Sequence, residues 1–344
     1  MRPNGYRPVT LPGAISRHTP KCEVLPVVRR LKTVFIAVLA MLASLGLVAL
    51  PGAGTAAASS ELVYVYSAAM NKNIPVKVLT AAGGGPAPTF YLLDGLRAPD
   101  NDNGWLINTD VENFFADKHV NVAIPFGGGG TFYSDWERDD PALGHVRWET
   151  FLTRELPAYM KDNFNSDGVN NAIAGLSMSG TSALNLATHN PNFYKAVASY
   201  SGYPTASSPG FAQGIAISVA QMGGNSVNMW GPWPSASWFR NDPLLNVGAL
   251  RGKAVYISSG DGVPSVTDAA LNPASRSFNP VLFAQLVPLE TASGISSRTF
   301  VPALQLAGAR VQVHTAPVGV HWWNYWQDRL HESWYGTIAP AIGA

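Results

Sequence analysis

From about residue 60 onward, short apolar runs rich in β-branched and aromatic residues alternate with segments whose apolar positions recur at helical spacing. The runs ELVYVYS (61–67), IPVKVLT (74–80), TFYLLDG (89–95), VNVAIPF (120–126), NAIAG (171–175), KAVASYSG (195–202), KAVYISSG (253–260) and RVQVHTAP (310–317) predict strands. Between them, WETFLTRELPAYMKDNF (148–164) and SALNLATHNP (182–191) predict amphipathic helices. Short strands that are apolar on both faces, separated by helices, suit a mainly parallel sheet covered on both faces. One α/β domain over 59–344 is the economical expectation, with no repeat, charge run or low-complexity linker to divide it.

The segment 203–249 breaks this rhythm. It is rich in Gly, Ala, Met, Trp and Pro and contains the apolar run GFAQGIAISVAQMGG. It predicts either a long, partly helical surface insertion or a wall covering an apolar ligand.

The N-terminus follows another pattern. RRLK (29–32) precedes the apolar run TVFIAVLAMLASLGLVAL (33–50), then Pro51 and the small residues GAGTAAASS. A basic region, an apolar core and an Ala-x-Ala site predict a secretory leader over 1–58, cut near Ala56–Ala58. The competing expectation is a retained single-span anchor, since the run is just long enough to reach across a bilayer. Residues 1–58 hold seven basic side chains and one acidic one, Glu23; the remainder keeps 16 of the 23 basic and 21 of the 22 acidic residues. A body with a net charge of minus five has no electrostatic reason to grip nucleic acid. Cys22, the only cysteine, lies in the leader, so the exported body carries neither disulfide nor thiol chemistry.

Candidate chemistry centres on AIAGLSMSGTS (172–182). An apolar strand ending in glycine, with a serine two positions on, predicts a sharp strand-to-helix turn. Such a turn projects the serine oxygen above the sheet. Its tightness requires small residues two before and two after the serine. Ser177 meets this with Gly175 and Ser179, whereas framing the turn on Ser179 would place β-branched Thr181 in a crowded position. Ser177 is therefore the expected nucleophile.

A serine hydroxyl needs a base, and this arrangement takes its acid and then its histidine later in the chain. His18 goes with the leader; His119, His145 and His189 sit in polar surface contexts, His314 inside a strand, and His331 in a charged helical stretch. His321, in the loop APVGVHWW after the last strand, is the expected base. Two residues compete as the acid. Asp261 directly follows a strand and is slightly favoured by position, although Asp-Gly also makes a good turn; Glu290 comes later in QLVPLE. The oxyanion would be held by the backbone N–H groups of Met178 and of Leu96, in the loop after TFYLL. Asp94, Arg97 and Asn108 are polar enough to hold a sugar there, and the Trp-rich HWWNYW (321–326) offers flat faces for stacking.

Together, YLLDGLRAPDNDNGWLINT (91–109), PFGGGGTFYSDW (125–136), WETFLTRELP (148–157), AIAGLSMSGTSALNLA (172–187), MWGPWPSASWFRNDP (229–243) and GVHWWNYW (319–326) resemble the antigen 85 mycolyltransferases of mycobacteria and their corynebacterial relatives. These stretches span nearly the whole exported body in the right order. The resemblance implies an α/β-hydrolase fold and an enzyme that takes a mycolyl group from trehalose monomycolate and passes it to a second trehalose unit or to arabinogalactan. It implies Ser177 as nucleophile, His321 as base, and backbone oxyanion donors at Leu96 and Met178. The family acid is a glutamate in a Leu-Glu pair ten residues before the phenylalanine of a Thr-Phe step. Leu289-Glu290 and Thr299-Phe300 keep that spacing, which moves the expectation from Asp261 to Glu290. Asp94, Arg97, Asn108 and Trp323 match positions lining the trehalose pocket. No metal or cofactor is implied, and the expected product is a monomeric, secreted or cell-envelope protein. The chain departs from the family in lacking the cysteine pair of the mycobacterial members, having the shorter ERDDPALGHVR (137–147) instead. That points to a different mycolate-bearing actinobacterium. A secreted carboxylesterase of the same fold, or a non-catalytic envelope binding protein, is the alternative.

Overall fold

The computed structural model describes residues 58–344. The expected leader and Cys22 lie outside them, apart from the leader's last residue. All eight predicted strands form, as β1 (Ser60–Ser67), β2 (Lys72–Leu79), β3 (Ala87–Leu93), β4 (Asn121–Pro125), β5 (Ser166–Leu176), β6 (Tyr194–Tyr200), β7 (Ala254–Ser259) and β8 (Arg310–Thr315). They make one sheet in the order β1-β2-β4-β3-β5-β6-β7-β8. The pairings of β2 with β1 and with β4 are antiparallel, and every pairing from β4 to β8 is parallel.

The helices are α1 (Gly104–Asn108), α2 (Val111–Phe115), α3 (148–164, π-helical over Phe151–Glu155), α4 (Met178–His189), α5 (Phe211–Gln221), α6 (Ser226–Trp230), α7 (Ala236–Arg240), α8 (Pro280–Leu306), α9 (Trp323–Ser333) and, after a π-helical turn, α10 (Ala339–Ile342). Alternate residues of each central strand serve opposite faces. Tyr91, Leu93 and Ile173 pack with side chains of α3, α4 and α8, while Phe90, Leu92 and Ala174 pack with α1, α2 and α9. Both faces are thus buried, which is why the strands read as continuous apolar runs.

Two elements differ from the sequence pattern. Helix α4 begins at Met178, directly after the serine, rather than at residue 182. The 27-residue α8 carries no helical hydrophobic stripe. Its buried positions include Glu290, Ser293, Gly294 and Ser297 before Phe300 and Leu304, so the inward face is polar and small over its middle. Periodicity of apolar residues cannot report such a face.

After β3 the chain turns to β4 on one side of the sheet, and β5 then lies on the other side of β3. A reversal of this kind leaves a crevice beyond the carboxyl ends of the two strands, where α/β sheets bind ligands. The loops after β3, β5, β6, β7 and β8 open onto that edge.

Candidate active site

Ser177 follows the last residue of β5 and precedes α4, with φ 54° and ψ −121°. Positive φ is costly for a serine, and the surroundings hold it there. Its N–H donates to Tyr200 O at 2.8 Å. A side chain on Gly175 would run into the backbone of Ser179, so glycine is required two positions upstream. Ser179 does more than stay small. Its buried hydroxyl accepts from Leu176 N at 2.8 Å and lies 3.0 Å from both Leu93 O and Leu176 O, tying the turn to the end of β3.

His321 reaches this turn from the loop between β8 and α9. Its Nε2 lies 2.7 Å from Ser177 Oγ, and its Nδ1 lies 2.8 Å from Glu290 Oε2. His321 is 4% exposed and Glu290 2%. The second carboxylate oxygen of Glu290 accepts from Ser201 Oγ at 2.8 Å and from Gly260 N at 2.6 Å. Ser201 Oγ in turn accepts from Trp326 Nε1 at 3.0 Å, and the Trp326 ring stands edge-on to His321 with centroids 5.0 Å apart. Every oxygen of the buried carboxylate is therefore engaged, as a charge removed from water requires.

Asp261 is elsewhere. Its carboxylate pairs with Arg298 at 2.6 Å in solvent and makes no contact with His321. The remaining described histidines are also committed away from Ser177: His119 to Ala82 O, His145 to Asp139, His189 to Glu149, His314 to Glu332 and His331 to Asp110.

Leu96 and Met178 line the same cavity as the serine. Neither backbone N–H has an acceptor among the described residues, while the Leu96 carbonyl accepts from Gly130 N at 3.0 Å and so fixes the loop. Asp94 is buried, and its two oxygens accept from Gly95 N and Gly104 N, each at 2.6 Å. Burial pushes its carboxyl above the ordinary aspartate value, against the pull of those two amides. Asp94 thus braces the loop and the start of α1 as well as lining the cavity. Asn108 is exposed and donates to Gly104 O at 2.9 Å; Arg97 is exposed at the cavity mouth; Trp323 stands edge-on to Trp105 and Trp326.

All of these line one cavity of about 630 Å³ that contains Ser177 and His321. Its lining includes the polar Asp94, Arg97 and Asn108 with Trp323, and the apolar Phe211, Ile215, Leu286 and Leu289. The apolar run of the segment 203–249 therefore folds as α5, and residues of that helix form part of the cavity wall. Two cavity or support residues were not singled out by sequence. Tyr203 lines the cavity over His321, and burial with the nearby Glu290 charge pushes its phenol far above the ordinary value. Ser201 has φ 51°, a second strained serine directly after a strand, and Ser199 stands two positions before it as a small residue, as Gly175 stands before Ser177.

A mainly parallel sheet of this order, with a strained serine between strand and helix and a histidine–glutamate pair within hydrogen-bond reach, defines the esterase-like class of α/β-hydrolase proteins. Residues 67–335 match the family described as "Putative esterase". The chain is 36% identical over 280 residues to the diacylglycerol acyltransferase/mycolyltransferase Ag85C of Mycobacterium avium, covering 78% of this chain and 74% of that protein. It is 35% identical over 308 residues to Ag85B of Mycobacterium intracellulare, covering 85% and 88%. Among solved structures, Mycobacterium tuberculosis MPT51 (FbpC1) superposes with a TM-score of 0.69 at 26% identity, over 83% of this chain and 98% of that one. An S-formylglutathione hydrolase from Agrobacterium tumefaciens, 18% identical with a TM-score of 0.57 over 83% and 96%, shares the fold. The chain belongs to the Ag85 diacylglycerol acyltransferase/mycolyltransferase family.

Proposed function

We propose that the protein is an exported acyltransferase that moves a mycolyl group from trehalose monomycolate to a second trehalose monomycolate or to arabinogalactan. The observation that carries this is the Ser177–His321–Glu290 chain, whose serine and histidine line a cavity that combines polar residues (Asp94, Arg97, Asn108) with an extended apolar lining.

Ser177 Oγ passes its proton to His321 Nε2 and attacks the ester carbonyl of the donor. The N–H groups of Leu96 and Met178 receive the oxyanion. His321 gives the proton to the departing trehalose oxygen, leaving the mycolyl ester on Ser177. A hydroxyl of the acceptor sugar then yields its proton to His321 as its oxygen attacks the acyl carbonyl, and Ser177 Oγ departs and takes that proton back from Nε2, leaving the mycolyl ester on the acceptor. Glu290 accepts from Nδ1–H throughout and stabilises the imidazolium. Asp94, Arg97, Asn108 and Trp323 hold the sugar beside the serine, where a bound acceptor outcompetes water. Side chains and substrates handle every proton and bond in this scheme.

Mass spectrometry after brief exposure to trehalose monomycolate tests it: a mycolyl adduct on Ser177, with trehalose dimycolate as product, is expected. Free mycolic acid without dimycolate identifies a carboxylesterase instead. Equal lack of fluorophosphonate labelling in wild type and Ser177→Ala identifies a non-catalytic binding protein. For export, N-terminal sequencing of the protein from culture fluid and cell wall is expected to begin near Ala56–Ser59. An intact N-terminus in the membrane fraction identifies an anchor.

A further inference from the structure

We infer that Gly214 is a specificity-determining position, and that the long acyl chain of the donor crosses α5 at this glycine. The inference rests on the acyl-transfer reading above and adds to it the path of the chain.

Glycines near Ser177 have visible reasons to be glycine. A Cβ at Gly175 would strike Ser179, one at Gly95 would lie 2.8 Å from Leu176 Cδ1, and one at Gly104 would run into the Trp323 ring. Gly214 has no such reason. It lies inside α5 with an ordinary negative φ, and a Cβ built there meets no atom outside its own helix within 4 Å. Glycine in a helix interior is disfavoured relative to alanine, because it gives up more backbone freedom on folding and buries nothing. Neither backbone geometry nor packing within the chain explains the residue. What borders it is the cavity, whose wall on α5 includes Phe211, Gly214, Ile215 and Ser218, residues that share one helical face. The missing side chain leaves a notch in that face between Phe211 and Ser218. Leu286, Leu289 and Ala292 of α8 line the same cavity. A notch among apolar lining residues, in a cavity that also holds the serine, fits an alkyl chain. The cost of the glycine to the helix is then the cost of keeping that path open.

The experiment uses the mature protein and p-nitrophenyl alkylphosphonates, whose alkyl group takes the place of the acyl chain when phosphorus bonds to Ser177 Oγ. Hexadecyl and butyl probes are compared by the rate of p-nitrophenol release in wild type, Gly214→Ala and Gly214→Leu. The ratio of hexadecyl to butyl rates is expected to fall with side-chain size, by about tenfold or more for Gly214→Leu, as expected when a hydrophobic pocket loses room for several methylenes. Gly214→Ala is expected to raise Tm, since alanine favours the helix and has space. That rise shows that a changed ratio comes from a folded protein. An unchanged ratio in Gly214→Leu overturns the assignment of Gly214 alone, leaving Ser177 labelling intact. Failure of both probes to label Ser177 in wild type overturns the nucleophile assignment and this inference with it.

Discussion

Oε2 of Glu290 lies 2.8 Å from Nδ1 of His321, although the two residues are 31 apart and on different elements. Asp261, which follows β7 where an acid is usual in this fold, turns instead to Arg298. Glu290→Gln is therefore expected to lower kcat by about four orders of magnitude, because the amide no longer holds the correct tautomer or balances the imidazolium. Asp261→Asn is expected to leave kcat nearly untouched and to shift stability by at most about 1 kcal/mol, as for an exposed ion pair. Steady-state ester turnover on both variants decides between them, and the reverse ranking would return the role to Asp261.

Ser179 Oγ links Leu176 N to the carbonyls of Leu93 and Leu176 in a fully buried position. Removing it leaves the Leu176 N–H without its acceptor away from water. Ser179→Ala is expected to cost about 1–3 kcal/mol of unfolding free energy, measured by urea titration. A loss below a few tenths would mean that water replaces the hydroxyl.

Gly104 touches both Trp323 and Asp94; an added Cβ would overlap the indole and lie 2.8 Å from Asp94 Oδ1. Gly104→Ala is expected to displace Trp323 from its place in the cavity lining, reducing transfer to trehalose acceptors more than hydrolysis of a small ester. The ratio of trehalose diester to free acid, followed by chromatography, reads this directly. An unaltered ratio would remove Trp323 from the acceptor site.

Glu149 offers a pH test remote from the serine. Burial works against its ionisation, yet hydrogen bonding and charge from His189, with Arg240 and Asn190, outweigh it and hold the carboxyl below the ordinary glutamate value of 4.5. The folded value is lower than the unfolded one, so the ionised carboxylate adds stability above the unfolded pKa. That stability is lost as pH falls through the folded value. Glu149→Gln is expected to be less stable than wild type by about 1–3 kcal/mol near pH 7. The gap should shrink once pH drops below about 4. Urea midpoints at neutral and acid pH measure it, and a gap that does not change with pH would contradict the ion-pair account.

Sequence alone determined the features that are written locally. Strands covered on both faces must be apolar throughout, so all eight were legible as runs. The turn at Ser177 needs small neighbours at fixed offsets, and His321 had to follow the last strand. Local pattern leaves Asp261 slightly ahead and only the family spacing points to Glu290; the meeting of Glu290 with His321 is set by α8, whose inward face of Glu290, Ser293, Gly294 and Ser297 has no hydrophobic period to betray a helix. Tertiary structure alone decided that Ser201 and Gly260 complete the bonds of Glu290, and that α5 walls the cavity. These are meetings of groups carried by α5, α8 and the loops after β6, β7 and β8, and only the packing of the sheet and its helices sets those distances.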